Sequence, residues 1–136
     1  MVSMKELKHF EYEEFDCPYA RGKDTGFRFM DRHFLWMLDQ AREYAGLKFT
    51  VVKGYISQRG AERINELQNS SHLIGRAAVI KCTNSYKRYR IVAALLEAGF
   101  SRIGIGLKHI YVDNDDMKAD AIFDYIMNHN RRLGSW

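Results

Sequence analysis

Residues 31–45 carry the pattern that most restricts the fold. Phe34, Leu35, Leu38, Ala41 and Ala45 fall on one face of a helix, and Gly46 offers a C-terminal stop. A helix with one apolar stripe has to lay that stripe on a second layer. Residues 49–53 are rich in β-branched and aromatic types and read as a strand, and residues 77–82, 102–105 and 109–113 read as three more. A long polar loop over 54–71 separates the first two strands and has room for a short helix near 62–67. Ser85 can cap a second long helix that runs to Ala98, buries Tyr89, Val92, Leu95 and Leu96, and ends at Gly99. The order is helix, strand, loop, strand, helix, strand, strand. Strands adjacent late in the chain, with helices segregated between earlier ones, favour an α+β fold over a doubly wound parallel sheet.

The 136 residues are 46% hydrophobic and 28% charged, which suits one globular domain. One proline and no serine, glycine or glutamine tract leave no linker to divide them. No uncharged apolar run approaches the ~20 residues that span a bilayer, so no membrane partner is expected. The N-terminus carries Lys5, Glu6, Lys8 and His9 instead of an apolar signal core, so synthesis in the cytoplasm without a signal peptide is expected. Cys17 and Cys82 lack the spacing of a disulfide framework or a zinc knuckle and read as reduced thiols. The net charge of +4 comes with small basic clusters, Lys87, Arg88 and Arg90, then Arg131 and Arg132. No zinc finger, RNP-type motif or long basic run accompanies them, and a solvated face is the reading over a nucleic-acid groove.

Several short motifs occur in a fixed order. Glu14-Phe15-Asp16-Cys17-Pro18 precedes Gly22-Lys23, Met30-Asp31 and Leu38-Asp39-Gln40-Ala41-Arg42-Glu43. Phe49-Thr50-Val51 then leads to Gly54-Tyr55, and Asn69-Ser70-Ser71-His72-Leu73-Ile74-Gly75-Arg76-Ala77-Ala78 follows. Ala98-Gly99-Phe100, Arg102-Ile103-Gly104-Ile105 and Ile110-Tyr111-Val112-Asp113 complete the set. From Phe10 to Asp115 the chain resembles the small zinc D-alanyl-D-alanine carboxypeptidases and murein endopeptidases, and looks like a degenerate, phage-type member. The resemblance implies the hedgehog/D-Ala-D-Ala peptidase fold, a small, mostly antiparallel sheet packed with helices.

Chemistry in such a family needs Zn²⁺ on three protein ligands with an open position, where the metal acidifies a water for attack on a peptide carbonyl. The resemblance places His, Asp and His as those ligands. His72 stands at the first position, Val79 at the second and Tyr111 at the third. An isopropyl group cannot bind a metal, and a neutral phenol with a pKa near ~10 is a poor zinc ligand. Ile56 stands where relatives carry an arginine suited to gripping a substrate carboxylate. The preceding serine is Lys53, the usual Gly-Gly turn is Asn65-Glu66, an expected asparagine is Ala61, and Lys108 stands where some relatives place a glutamate base. His109 would start about 6.6 Å along its strand from the position of Tyr111, too far for bonds of about 2.0 to 2.1 Å. Asp113, Asp115 and Asp116 lack the spacing of a calcium loop and read as a solvated turn.

The expectation is therefore a noncatalytic scaffold with no cofactor, acting as a binding or structural module. Standalone peptidases of this type without export signals are common in phages, so the resemblance suggests a virion component such as a head decoration, neck or tail protein. Its expected partner is a protein, a second copy or a virion lattice. Two alternatives stay open. One is an active zinc murein peptidase or endolysin, which alone would need zinc, and the other is a module that binds peptidoglycan stems.

Residues 1–117 are assigned to the peptidase-like domain, and 118–136 to an amphipathic helix and tail, part of it or appended to it. Ala119, Ile122, Phe123 and Ile126 recur at helical spacing. Such a helix either closes the core or docks a partner through Ile122, Phe123, Ile126 and Trp136.

Overall fold

The computed structural model describes residues 6–20 and 23–127. Its elements are a 3-10 turn at Tyr12–Phe15, helix α1 (Thr25–Phe29), helix α2 (Arg32–Ala45), strand β1 (Thr50–Lys53), helix α3 (Gln58–Arg63), a second 3-10 turn at Ser71–Ile74, strand β2 (Ala77–Lys81), helix α4 (Ser85–Glu97), and strands β3 (Arg102–Ile105), β4 (His109–Asp113) and β5 (Ala121–Asp124). The five strands form one sheet in the order β1-β2-β4-β3-β5. All neighbours are antiparallel except β3 and β5, which run parallel. The fold is α+β, as the element order implies. No helix among the described residues is long and apolar enough to cross a membrane.

Local chemistry sets the ends of α2. The Asp31 carboxylate accepts the Phe34 N–H at 2.8 Å and satisfies one of the first-turn donors, and Gly46 closes the helix at φ 66°. Phe34, Leu35, Leu38 and Ala41 of α2 meet Ile91, Ala94 and Leu95 of α4 over Ala78, Ile80, Ile103, Ile110 and Val112 of the sheet. The contact face of α4 is therefore rotated from the expected one. Tyr89 is 69% exposed and Leu96 47% exposed, because 91, 94 and 95 rest on the sheet instead. Asn84, one residue before the expected Ser85, caps this helix by accepting the Lys87 N–H. In the 54–71 loop the helix falls at Gln58–Arg63, earlier than expected, because Ser57 accepts the Gly60 N–H and starts it there.

The largest difference lies after Asp115. The amphipathic helix expected over 118–136 is a strand where the structure describes it, β5, pairing Ile103 with Ile122 and Gly104 with Phe123. The spacing of Ala119, Ile122, Phe123 and Ile126 suits a helix, but the same stretch also alternates. Phe123, Tyr125 and Met127 pack inward, whereas Ile122 and Ile126 are 58% and 68% exposed. Pairing with the open edge of β3 decides between the two periods.

Candidate functional site

The face of the sheet away from α2 and α4 carries the site. Val79 on β2 and Tyr111 on β4 are direct cross-strand partners. His72 reaches them from the Ser71–Ile74 turn, its ring 5.7 Å from that of Tyr111 and edge-on to it at 75°. Two glycines of the motifs bring that turn into place. Gly75 closes it at φ 72°, and a side chain there would meet the Phe29 carbonyl oxygen at 2.1 Å. Gly54 lies so close to Phe15 that a Cβ would come within 2.6 Å of its Cα. The fold thus gathers the three residues singled out as degenerate ligands into one place.

Their states differ. His72 is 1% exposed, and its Nδ1 donates to the Gly54 carbonyl at 2.7 Å, so Nε2 carries the lone pair. Among the described residues no hydrogen-bond partner meets Nε2. This is how an imidazole is oriented to serve a metal, with a backbone carbonyl fixing the tautomer. Burial, and next the Lys53 ammonium, push the imidazolium pKa down to about 4, so the ring is neutral at pH 7. Val79 is fully buried and offers only methyl groups. The Tyr111 hydroxyl donates to Asp113, and burial, reinforced by the Asp113 charge, holds its pKa far above the ordinary phenol value. One donor of the three is in place, and the residues do not fit zinc. Among the described residues no group of three His, Cys, Asp or Glu side chains gathers to hold a metal ion. His109 sits two residues before Tyr111, opposite Lys81.

A buried ion pair lies beside His72. Lys53 Nζ is 2.6 Å from Glu66 Oε1, with the two side chains 8% and 11% exposed, and Ser70 donates to the other carboxylate oxygen at 2.6 Å. Burial opposes the charge on Glu66, yet the Lys53 charge and these hydrogen bonds hold its pKa below the usual range. Both residues stand at positions where the motifs depart from the family pattern, and opposite charge at two departures was the available signal that they pair.

The three aspartates each meet a cation. Arg102 Nε bridges both oxygens of Asp113 at 3.0 and 3.1 Å, Lys118 lies 3.6 Å from Asp115, and Arg76 lies 3.5 Å from Asp116. Asp113 is fully buried and Asp115 nearly so, which corrects the reading of a solvated turn for these two, while Asp116 is exposed. Ile56, 2% exposed, packs with Cys17 and Ala61. The position expected to grip a carboxylate is apolar wall.

The C-terminal segment covers this face. Tyr125 stacks on Tyr111 with ring centres 5.2 Å apart at 21°, and Phe123 lies 5.8 Å from the same ring. Met127 packs against the cluster of Ala77, Val79 and Tyr111. Gly104 makes room, since a Cβ there would come within 2.7 Å of Phe123 and 2.9 Å of Tyr125. Of the four residues assigned to docking, Phe123 turns inward, Ile122 and Ile126 face out, and Trp136 lies outside the described residues.

Comparison with curated proteins finds no match. A family model described as Peptidase M15 matches residues 8–115 and stops before β5. That match covers most of the chain and includes His72, Val79 and Tyr111, and the protein belongs to the Peptidase M15 family.

Proposed function

We propose that this chain is a noncatalytic member of the family, kept as a binding or structural module. The state of the three ligand positions carries the reading: one oriented imidazole nitrogen, one isopropyl group and one protonated phenol. Zinc hydrolases hold the metal on three ligands and keep a fourth position for water. A single nitrogen supplies neither the affinity nor the geometry. Ile56 adds to this, because an apolar wall cannot hold a carboxylate terminus. The C-terminal cover adds more, because Phe123, Tyr125 and Met127 pack on the cluster that holds Val79 and Tyr111, two of the three ligand positions.

The partner in this reading is a protein, and a phage virion is its setting. Exposed apolar side chains on α4 and β5, among them Tyr89 and Ile122, favour a protein surface over a polar glycan. Metal content is the test. Protein purified without chelator should contain far less than one zinc per chain by elemental analysis. One firmly held zinc per chain, lost in His72→Ala, would instead establish the active-peptidase alternative.

A further inference from the structure

Helix α4 turns Ile91, Ala94 and Leu95 onto α2 and the sheet, which leaves Ala93 near the middle of its outer face. Tyr89 and Ala93 form a ridge there, with a shallow groove along each flank that both residues line. The groove on the β3 side is apolar, walled by Val92, Leu96 and Ile105. The groove on the α2 side holds Tyr44, Arg90 and Glu97. Tyr44, Tyr86, Tyr89 and Leu96 all remain exposed, a patch of the kind that marks an interaction surface. Arg90 donates to the Tyr86 hydroxyl and the Ala45 carbonyl. Among the described residues it meets no carboxylate, and Glu97 meets no cation.

The face is complementary to itself when two copies of α4 lie antiparallel about a two-fold axis level with Ala93. Arg90 lies three residues before Ala93 and Glu97 four after it. At the helical rise per residue, Arg90 of one copy and Glu97 of the other come within about 1.5 Å of the same level. At the helical turn per residue both stand on the α2 side of Ala93, about 60° and about 40° round from it, and the two-fold axis sets that side against itself. Tyr89 and Leu96 match in the same way on the β3 side, so each Tyr89 ring meets Leu96 and the apolar groove of the other copy. Ala93 at the centre is small enough for the helices to approach closely, ridge into groove. We propose that α4 is the interface of a two-fold dimer of this chain, with Arg90 paired to Glu97 and Tyr89 packed on Leu96 across the axis, each contact made twice. A second copy is the occupant because its own α4 supplies, by symmetry, the charge and the apolar surface that this face lacks. One helix face is narrow for a complex, in the class below ~1,200 Å², so the dimer is weak and reversible. The inference rests on the reading that the partner is a protein, to which it gives a surface, and not on the state of the zinc positions.

Sedimentation velocity of the full chain from about 5 to about 500 µM tests this. The weight-average mass should climb from one chain toward two. Ala93→Arg, at an exposed position, puts charge on the axis and should weaken association at least about tenfold. Arg90→Glu and Glu97→Arg each set like charges opposite one another and should each be monomeric alone. Mixed one to one, the two variants should dimerise within about threefold of the wild type, because both cross-pairs are then attractive. Thermal melts establish that each variant is folded; should Arg90→Glu not melt cooperatively, Ala93→Arg and Glu97→Arg decide between them. A wild type that stays one chain throughout would overturn the proposal and leave the face to another protein. So would association that survives Ala93→Arg, which would put the contact elsewhere, or folded charge variants that do not pair when mixed. Zinc content of the same samples reports on the noncatalytic reading separately.

Discussion

Protonating His72 should destabilise the fold over a defined pH window. In the folded chain the ring is buried, donates from Nδ1 to Gly54 and takes up its second proton only near pH 4, against an ordinary 6.5. The unfolded chain therefore binds more protons than the folded chain between these values, and stability falls as pH falls through them. Above about pH 6.5 both states carry a neutral ring and the effect vanishes. Each pKa unit is worth about 1.4 kcal/mol, so the full loss is about 3 kcal/mol, of which about 2 kcal/mol is gone by pH 5. Urea denaturation of the wild type and of His72→Gln at pH 8 and pH 5, with chelator in every sample, isolates this contribution. Glutamine can donate to the Gly54 carbonyl and does not titrate. The wild type should lose about 2 kcal/mol more than the variant over that interval. Equal losses in the two proteins would refute the reasoning, because they would mean that the ring is hydrated or that Glu66 stabilises its cation.

Three further perturbations have expected outcomes. Val79→Asp with Tyr111→His should create zinc affinity around the oriented Nε2, and free zinc at 1,000 times the dissociation constant should then stabilise the variant by about 4 kcal/mol; activity should stay absent while Ile56 lines the clamp position, and a flat competition titration with a zinc chelator would show that the pocket has been rebuilt. Lys53→Met leaves the Glu66 charge buried without its partner and should cost about 3 to 5 kcal/mol in denaturant unfolding, with much of it recovered in Lys53→Met/Glu66→Gln. A single-variant loss below about 1 kcal/mol would mean that water reaches the pair. Gly104→Ala places a methyl against Phe123 and Tyr125 and should cost about 1 to 3 kcal/mol. Amide exchange should quicken across 121–125 and stay unchanged in α2, whereas uniform quickening would show that β5 and the core open together.

Local chemistry made the first part of the fold readable. Gly46 ends α2 in a left-handed turn that the residue itself announces, whereas Asp31, read as the first helical residue, stands outside the helix as its side-chain cap. The motif around His72 and Gly75 gave the site's location, because the glycine is required by a left-handed backbone conformation and by the close Phe29 carbonyl. The rotation of α4 was not readable, since Tyr89, Val92 and Leu96 form as good a stripe as Ile91, Ala94 and Leu95 until the sheet selects one. β5 was hidden for a related reason. Its apolar residues satisfy two periods, and the deciding partner, β3, belongs to a parallel pairing that no local turn signals. Lys53 and Glu66 were each noticed as departures from the family pattern, but their union depends on the distance across the 54–71 loop.

Tyr111 stacks on Tyr125, and its hydroxyl bonds to Asp113, which Arg102 in turn ties to the Ala119 carbonyl at the approach to β5. A side chain at a ligand position thus anchors a segment beyond the region that matches the family. This gives the surrounding sequence space a slope. A single step to histidine at 111 forfeits the hydroxyl contact and reshapes the stack while no carboxylate stands at 79 to share a metal. A single step to aspartate at 79 strands a charge among Ala77 and Tyr111. Each step alone runs downhill in stability, and only the pair, with zinc bound, climbs back. Once β5 leans on Tyr111, gradual substitution is held back from a metal-binding site as by a ratchet.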